Sequence, residues 1–201
     1  MLTRSYTRRC VLQHLAAAGL AMTTSQTHPM PQITRRIPKG REHWPVVGIG
    51  TYDTFDVGPK APERTELKNV LREFVALGGT VVDSSPMYGE AERVVGDLTA
   101  ELGVRNQLFI ATKVWTSGQR AGIEQMEQSF RLMRAGARIE LMQIHNLLDL
   151  GTHSRTLREW KASGKIRYMG ITHYHIGAHV ELEKLVKTNL YDTLQVNYSM
   201  A

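Results

Sequence analysis

A chain of 201 residues, 42% hydrophobic and 22% charged, is long enough for one domain with a buried core, and its composition excludes a disordered or fibrous class. The net charge of +6 is inflated by residues 1–30, where Arg4, Arg8 and Arg9 stand without an acid; the remainder has no run of like charges and no nucleic-acid footprint. The only cysteine, Cys10, falls in the same stretch, so the rest of the chain forms no internal disulfide and is silent about redox compartment.

The amino terminus reads first. Thr7-Arg8-Arg9-Cys10-Val11-Leu12-Gln13, followed by the apolar segment Leu15 to Met22, resembles a twin-arginine export signal, with small residues at Ala21 to Ser25 for cleavage. That segment falls well short of the ~20 residues a spanning helix needs. Residues 1–30 are therefore expected to be a leader and linker, and residues 31–201 the folded domain of an exported, periplasmic protein. The alternative is a solvated amino-terminal extension on a cytoplasmic protein. No later stretch is apolar enough to hold the chain in a membrane.

Six short apolar runs follow, beginning near Val46, Gly79, Gln107, Ile139, Ile166 and Thr193, at spacings of 27–33 residues. Such runs, apolar at successive positions, read as parallel strands buried on both faces. Helical periodicity fills the gaps. Glu63 to Leu77 places Leu67, Val70, Leu71, Phe74 and Val75 on one face before Gly78-Gly79, and Glu90 to Leu102 ends at Gly103. Gly122 to Ala135, Thr152 to Ala162 and Ala178 to Thr188 follow, the last stopped by Asn189. Strand and helix in strict alternation predict an α/β fold of the (β/α)8 barrel type, with about six of its eight units in this sequence. Such a barrel typically takes about 250 residues, so the chain is expected to be a truncated one.

Candidate chemistry collects at the ends of these runs. Asp83 and Tyr88 follow Thr80-Val81-Val82, Lys113 follows Phe109 to Thr112, and His145 follows Leu141 to Ile144. The carboxyl ends of parallel strands are where α/β folds keep their active sites. A tyrosine near its ordinary pKa of ~10 is a poor acid at neutral pH. A lysine beside it is expected to lower that value, an aspartate to hold the lysine, and a histidine to hold a carbonyl oxygen. Each has a plainer reading. Lys113 would face solvent in a loop, Asp83 in Asp-Ser-Ser-Pro would cap the next helix, Tyr88 would pack beside a glycine turn, and His145 would bond a neighbouring carbonyl. Lys113 as a Schiff-base amine, making the chain an aldolase, is a further alternative.

The order of motifs resembles the aldo/keto reductase family: Val47-Gly48-Ile49-Gly50-Thr51-Tyr52, then Asp83-Ser84-Ser85-Pro86-Met87-Tyr88-Gly89 with Glu92, then Ile110-Ala111-Thr112-Lys113-Val114-Trp115, Gln143-Ile144-His145-Asn146, Gly170-Ile171-Thr172 and Gln195-Val196-Asn197-Tyr198-Ser199. The resemblance runs from about Ile37 to the last residue. It implies NADP(H)-dependent interconversion of small aldehydes or ketones with alcohols, with Tyr88 as proton donor supported by Lys113, Asp83 and His145. It also implies nicotinamide contacts at Thr172, His173 and Gln195, with Gly50, Thr51 and Tyr198 along the same cleft. A Ser-Asn pair is more usual where Thr172-His173 stands. No Gly-rich phosphate motif of the Rossmann or P-loop kind occurs.

Tyr52 and Trp115 are candidate walls of a substrate pocket, and Trp44 and Trp160 are expected to be structural. His173, His175 and His179 match no zinc spacing, so no metal is expected. The rival reading is a non-catalytic remnant of such a reductase, acting at most as a binding module.

Overall fold

Runs of apolar residues buried on both sides become the strands of one parallel sheet. The structure, a computed structural model, describes residues 32–37, 39–40 and 42–198; the leader reading of residues 1–30 lies outside them. Strand β1 (Thr34–Arg36) pairs antiparallel with β2 (His43–Pro45), a hairpin the sequence did not announce. Then come β3 (Ile49–Gly50), α1 (Glu63–Ala76), β4 (Val81–Asp83), α2 (Ala91–Glu101), β5 (Phe109–Val114), α3 (Gln119–Leu132), β6 (Ile139–His145), α4 (Leu150–Ala162), β7 (Ile166–His173), α5 (His179–Lys187) and β8 (Thr193–Val196). The six strands β3 to β8 lie side by side in chain order, all parallel. This is the arrangement of six βα units of a (β/α)8 barrel.

The sheet is curled. Laid flat, β4 and β8 would stand roughly 19 Å apart, at ~4.8 Å per strand. Yet Gln195 of β8 donates a hydrogen bond from Nε2 to Asp83 of β4 at 3.2 Å. Only a sheet bent toward closure brings those side chains together.

Alternation along each strand then sorts residues between two cores. Outward-facing Val82 and Ile110 pack with Leu67, Leu71, Val94, Val95 and Leu98 of α1 and α2. Outward-facing Val114, Met142, Ile144, Met169 and Ile171 pack with Met126, Phe130, Leu157, Trp160 and Leu182 of α3 to α5. Inward-facing Phe109, Ala111, Leu141 and Tyr168 form a third cluster with Ile37, against which Trp44 and Val81 pack. The hairpin covers that inner cluster, with Trp44 4.1 Å from Phe109 and 5.4 Å from Tyr168 between ring centroids. The amino-terminal end of the half-barrel is thereby closed by aromatics, which leaves its carboxyl end as the open mouth. Both structural tryptophans behave as expected, Trp160 packing edge-on against Phe130.

Helix ends follow the stop signals. Gly78 after α1 takes φ of 86°, which costs glycine nothing, and Asn189 after α5 takes φ of 57°, in the left-handed region that asparagine tolerates best among larger residues. No helix among the described residues is long and apolar enough to cross a membrane.

Candidate active site

Lys113 sits inside β5, a strand with every residue buried, and is 1% exposed. A buried ammonium must be paired. Its Nζ donates to Asp83 Oδ2 at 2.7 Å and to the Ser84 carbonyl at 2.7 Å. Burial pulls the Lys113 pKa down while the Asp83 charge pushes it back up. Asp83 ends β4 and accepts two further bonds, from Gln143 Nε2 at 3.3 Å and Gln195 Nε2 at 3.2 Å. Its carboxylate is therefore not a helix cap. Helix α2 starts at Ala91 with no side-chain cap at all. Gly170, whose strand neighbours in register are Gln143 and Thr193, gives this network room, since a Cβ there would stand 2.1 Å from Thr193 Oγ1 and 3.1 Å from Gln143 Cγ.

Above this floor lies Tyr88. The loop after β4 is held by Ser84 N–H to the Ala111 carbonyl at 2.9 Å and Tyr88 N–H to the Ser85 carbonyl at 3.0 Å. The Tyr88 ring centroid lies 5.0 Å from Lys113 Nζ, 6.0 Å from the His145 ring in an edge arrangement, and 5.1 Å from the Tyr52 ring. The ammonium faces the ring while its hydrogen bonds go to Asp83 and Ser84. As a result the phenol is not acidified. Burial, the Asp83 charge and Tyr52 together push its pKa up to about 12. This corrects the expectation that Lys113 lowers it: the expected Asp83–Lys113 pair forms, but burial of the phenol, which the sequence pattern did not show, raises the pKa instead.

His145 closes β6 at 7% exposure, and burial, the Lys113 charge and His173 bring its pKa down to about 4. The imidazole is neutral at physiological pH. Its Nδ1 lies 3.0 Å from Ser85 Oγ. Tyr88 and His145 open into a cleft of about 500 Å³ whose other walls are Tyr52, Met87, Trp115, Asn146 and Tyr174. A hollow of similar volume on the outer face of α1 and α2, walled by Arg64, Lys68 and Glu101, contains none of this chemistry.

The residues expected at a cofactor divide. Thr172 and Gln195 are register partners across β7 and β8, and Thr172 in turn pairs with His145, so the three form one row at the mouth. His173 follows at the end of β7, half-buried, with Nδ1 accepting from the His175 N–H at 3.1 Å. His175 in turn accepts from the Gly177 N–H at 3.0 Å, so these rings serve local turns; no metal-holding cluster occurs among the described residues. Gly50 presents bare backbone to open space beside Asp83. Thr51 does not reach the cleft: it is fully buried, and its hydroxyl donates to the Asp83 carbonyl and is hydrogen-bonded with the Ser84 hydroxyl. Tyr198 is 90% exposed beyond β8 and makes no ring contact with the cleft aromatics. Tyr52 and Trp115 line the cleft.

Four contributors had no assigned role from sequence. Gln143 bridges Asp83 and Gln195, donating to both. Glu92, 1% exposed on α2, accepts from the Thr112 and Ser129 hydroxyls directly behind Lys113. Ser85 touches His145, and Tyr174 shapes the rim. A polar residue between apolar neighbours on a strand was the available signal for Gln143; Ser85 and Glu92 stood within the quoted motif stretches without a role, and nothing marked Tyr174.

A parallel half-barrel with an ammonium, a carboxylate, a phenol and a neutral imidazole at its carboxyl mouth defines a fold of the (β/α)8 class. Comparison with known proteins narrows the class. The chain belongs to the aldo/keto reductase family, whose model matches residues 46–201. It is 31% identical over 162 residues to the methylglyoxal reductase YeaE of Escherichia coli, covering 78% of this chain and 55% of that protein. It is 30% identical over 148 residues to the aldo-keto reductase YhdN of Bacillus subtilis, covering 65% and 44% respectively. The chain thus spans about half the length of these curated relatives. An aldo/keto reductase from Klebsiella pneumoniae, crystallised in complex with NADP and acetate, superposes with a TM-score of 0.68 at 25% identity over 84% of this chain and 59% of that one.

Proposed function

We propose that this chain carries the proton-donating site of an NADP(H)-dependent oxidoreductase that interconverts small aldehydes or ketones with alcohols. The observation that carries the reading is the elimination of every other acid in the cleft. His145 is a neutral imidazole at neutral pH, and the one N–H it keeps is a far weaker acid than a phenol. Lys113 is sealed beneath Asp83 and Ser84, which also removes it as a Schiff-base amine. Tyr52 and Tyr174 stand at the rim, 68% and 70% exposed. Tyr88 alone is half-buried between Lys113 and His145 with a free hydroxyl.

A phenol with a pKa of about 12 is a weak acid but a far stronger one than an alcohol. Proton transfer from Tyr88 to a carbonyl oxygen that gains negative charge is therefore downhill. Lys113 holds Asp83 in place beneath the phenol, and the neutral imidazole of His145 orients the oxygen. The cofactor supplies the hydride when bound. Thr172 and Gln195 fit its nicotinamide end: they form a polar row beside His145, with His173 next along β7, and Gln195 keeps one amide hydrogen and one lone pair free after serving Asp83 and Gln143. The aromatic cleft suits an uncharged carbonyl, and the name of the Escherichia coli relative, a methylglyoxal reductase, agrees with a small one.

The test is Tyr88→Phe in the full chain, assayed for NADPH-dependent reduction of methylglyoxal and simple aldehydes. Loss of a positioned acid costs on the order of 10²–10⁴-fold. An inactive parent chain, or a variant within about threefold of the parent, overturns the reading against that expected range.

A further inference from the structure

We infer that Ser85 is a positioning residue: its buried hydroxyl donates to Nδ1 of His145 and so fixes the imidazole in the form that carries its one proton on Nε2. This rests on the reading of His145 as the group that orients the carbonyl, and it specifies how the group does so.

Neutral histidine has one N–H and one lone pair, and its partners decide which nitrogen holds which. Ser85 is fully buried and lies 3.0 Å from Nδ1, out of reach of water. Its Oγ already accepts a longer bond, 3.4 Å, from the Met87 N–H. The serine's own hydrogen still needs an acceptor, and among the described residues His145 Nδ1 is the one its hydroxyl meets. Were Nδ1 protonated, it would donate to Oγ, and the buried serine hydrogen would point at nothing. That arrangement strands a polar hydrogen away from solvent, which buried groups avoid.

The loop is built to keep the serine there. Ser84 is tied to β5 through the Ala111 carbonyl, the Ser85 carbonyl accepts from Tyr88, and Pro86 holds Ser85 extended. The hydroxyl therefore meets Nδ1 from one side only.

The consequence is chemical. With the proton on Nε2, His145 offers the cleft a hydrogen-bond donor, and a carbonyl oxygen is attracted. With the proton on Nδ1, the same ring in the same place offers a lone pair, and a carbonyl oxygen is repelled. Ser85 thus selects between a helpful and a harmful imidazole without moving a heavy atom. It also makes the division of labour definite: Tyr88 transfers a proton, whereas His145 lends one without releasing it.

Long-range proton–nitrogen correlation NMR on the ¹⁵N-labelled chain reads the tautomer directly, with His145 identified among the eight histidines by its absence in His145→Asn. The expected spectrum has a protonated, pyrrole-type Nε2 and a bare, pyridine-type Nδ1 at neutral pH. In Ser85→Ala the two nitrogens should average, and kcat should fall about tenfold, the worth of one hydrogen bond. Ser85→Thr keeps the hydroxyl and should restore both readouts. A parent spectrum with Nδ1 protonated, or with both nitrogens averaged, overturns the inference, as does an unchanged spectrum in Ser85→Ala. Should Ser85→Ala fail to fold, the parent spectrum decides alone. A fixed Nε2–H combined with an active Tyr88→Phe would leave the tautomer standing and remove only the reductase reading.

Discussion

The floor of the site and its rim are built in opposite ways. Asp83, Lys113 and Gln143 stand on strands flanked by neighbours on both sides, with Ser84 and Thr51 fully buried against them and each polar group committed to a partner. Tyr52, Trp115 and Tyr174 belong to loops after β3, β5 and β7, and all are 41% exposed or more. The floor is fixed before any substrate arrives, as positioning and electrostatic stabilisation require. The rim is where side chains can differ without disturbing the fold. The contrast predicts that damage to the floor should register in stability as well as activity, and damage to the rim in activity alone.

Lys113→Met is the severest break. It leaves the Asp83 carboxylate with two amide donors and no cation in a site where Lys113 is 1% exposed. Removing one partner of a buried ion pair costs about 3–5 kcal/mol. Tyr88→Phe, which deletes a hydroxyl that bonds nothing in the protein, should change stability by less than about 0.5 kcal/mol. Urea denaturation of the two variants checks the pair; equal destabilisation would mean the floor and the phenol are not separate structures.

The same contrast explains what the sequence could disclose. Strands β6 and β7 were legible because apolar residues recur on both faces within seven and eight residues, and the structure places them at the expected starts, Ile139 and Ile166. The β1–β2 hairpin was not, because Thr34, Arg35 and Arg36 are all exposed and leave no alternation to detect. Asp83, Lys113 and His145 were legible as polar residues ending apolar runs. Ser85 was not, since a serine in Asp-Ser-Ser-Pro reads equally well as a cap, and its partner lies 60 residues away. Spacing named the groups at the site and the Asp83–Lys113 pair but not the burial of the phenol, which is why an acidified tyrosine was expected and a phenol near 12 was found.

Glu92 sharpens the comparison from beneath the floor. Burial raises its pKa, opposed by hydrogen bonds from Thr112 and Ser129 and by the Lys113 charge. A carboxyl whose folded pKa lies above its unfolded value of 4.5 contributes stability that is present below pH 4.5 and lost as pH rises through the folded pKa. Glu92→Gln removes the ionisation and keeps the shape. The variant should be more stable than the parent at pH 8 and indistinguishable from it at pH 4. Denaturation midpoints at the two pH values decide it; a variant weaker at pH 8 than at pH 4, relative to the parent, would show that the charged form is the one the fold favours.

Trp115 tests the rim. Its indole is 41% exposed and lies 6.4 Å from the His145 ring, but its backbone is held independently of that ring. Gln125 Oε1 accepts the Trp115 N–H at 2.6 Å and Gln125 Nε2 donates to its carbonyl at 3.1 Å. Further along the loop, His153 Nε2 donates to the Thr116 carbonyl at 2.7 Å and Asp149 accepts from the Gly118 N–H at 2.7 Å. Trp115→Ala should therefore remove a wall and leave the loop in place. Stability should fall by no more than about 1 kcal/mol, since the ring is only partly buried. KM for bulky apolar aldehydes should rise about tenfold, the worth of part of one aromatic contact, while kcat for the smallest substrate holds. Gln125→Ala, which frees the backbone and keeps the indole, should blur KM for every substrate alike. If Trp115→Ala instead unfolds the chain, or lowers kcat as Tyr88→Phe does, the rim is part of the floor and the two-part description of the site fails.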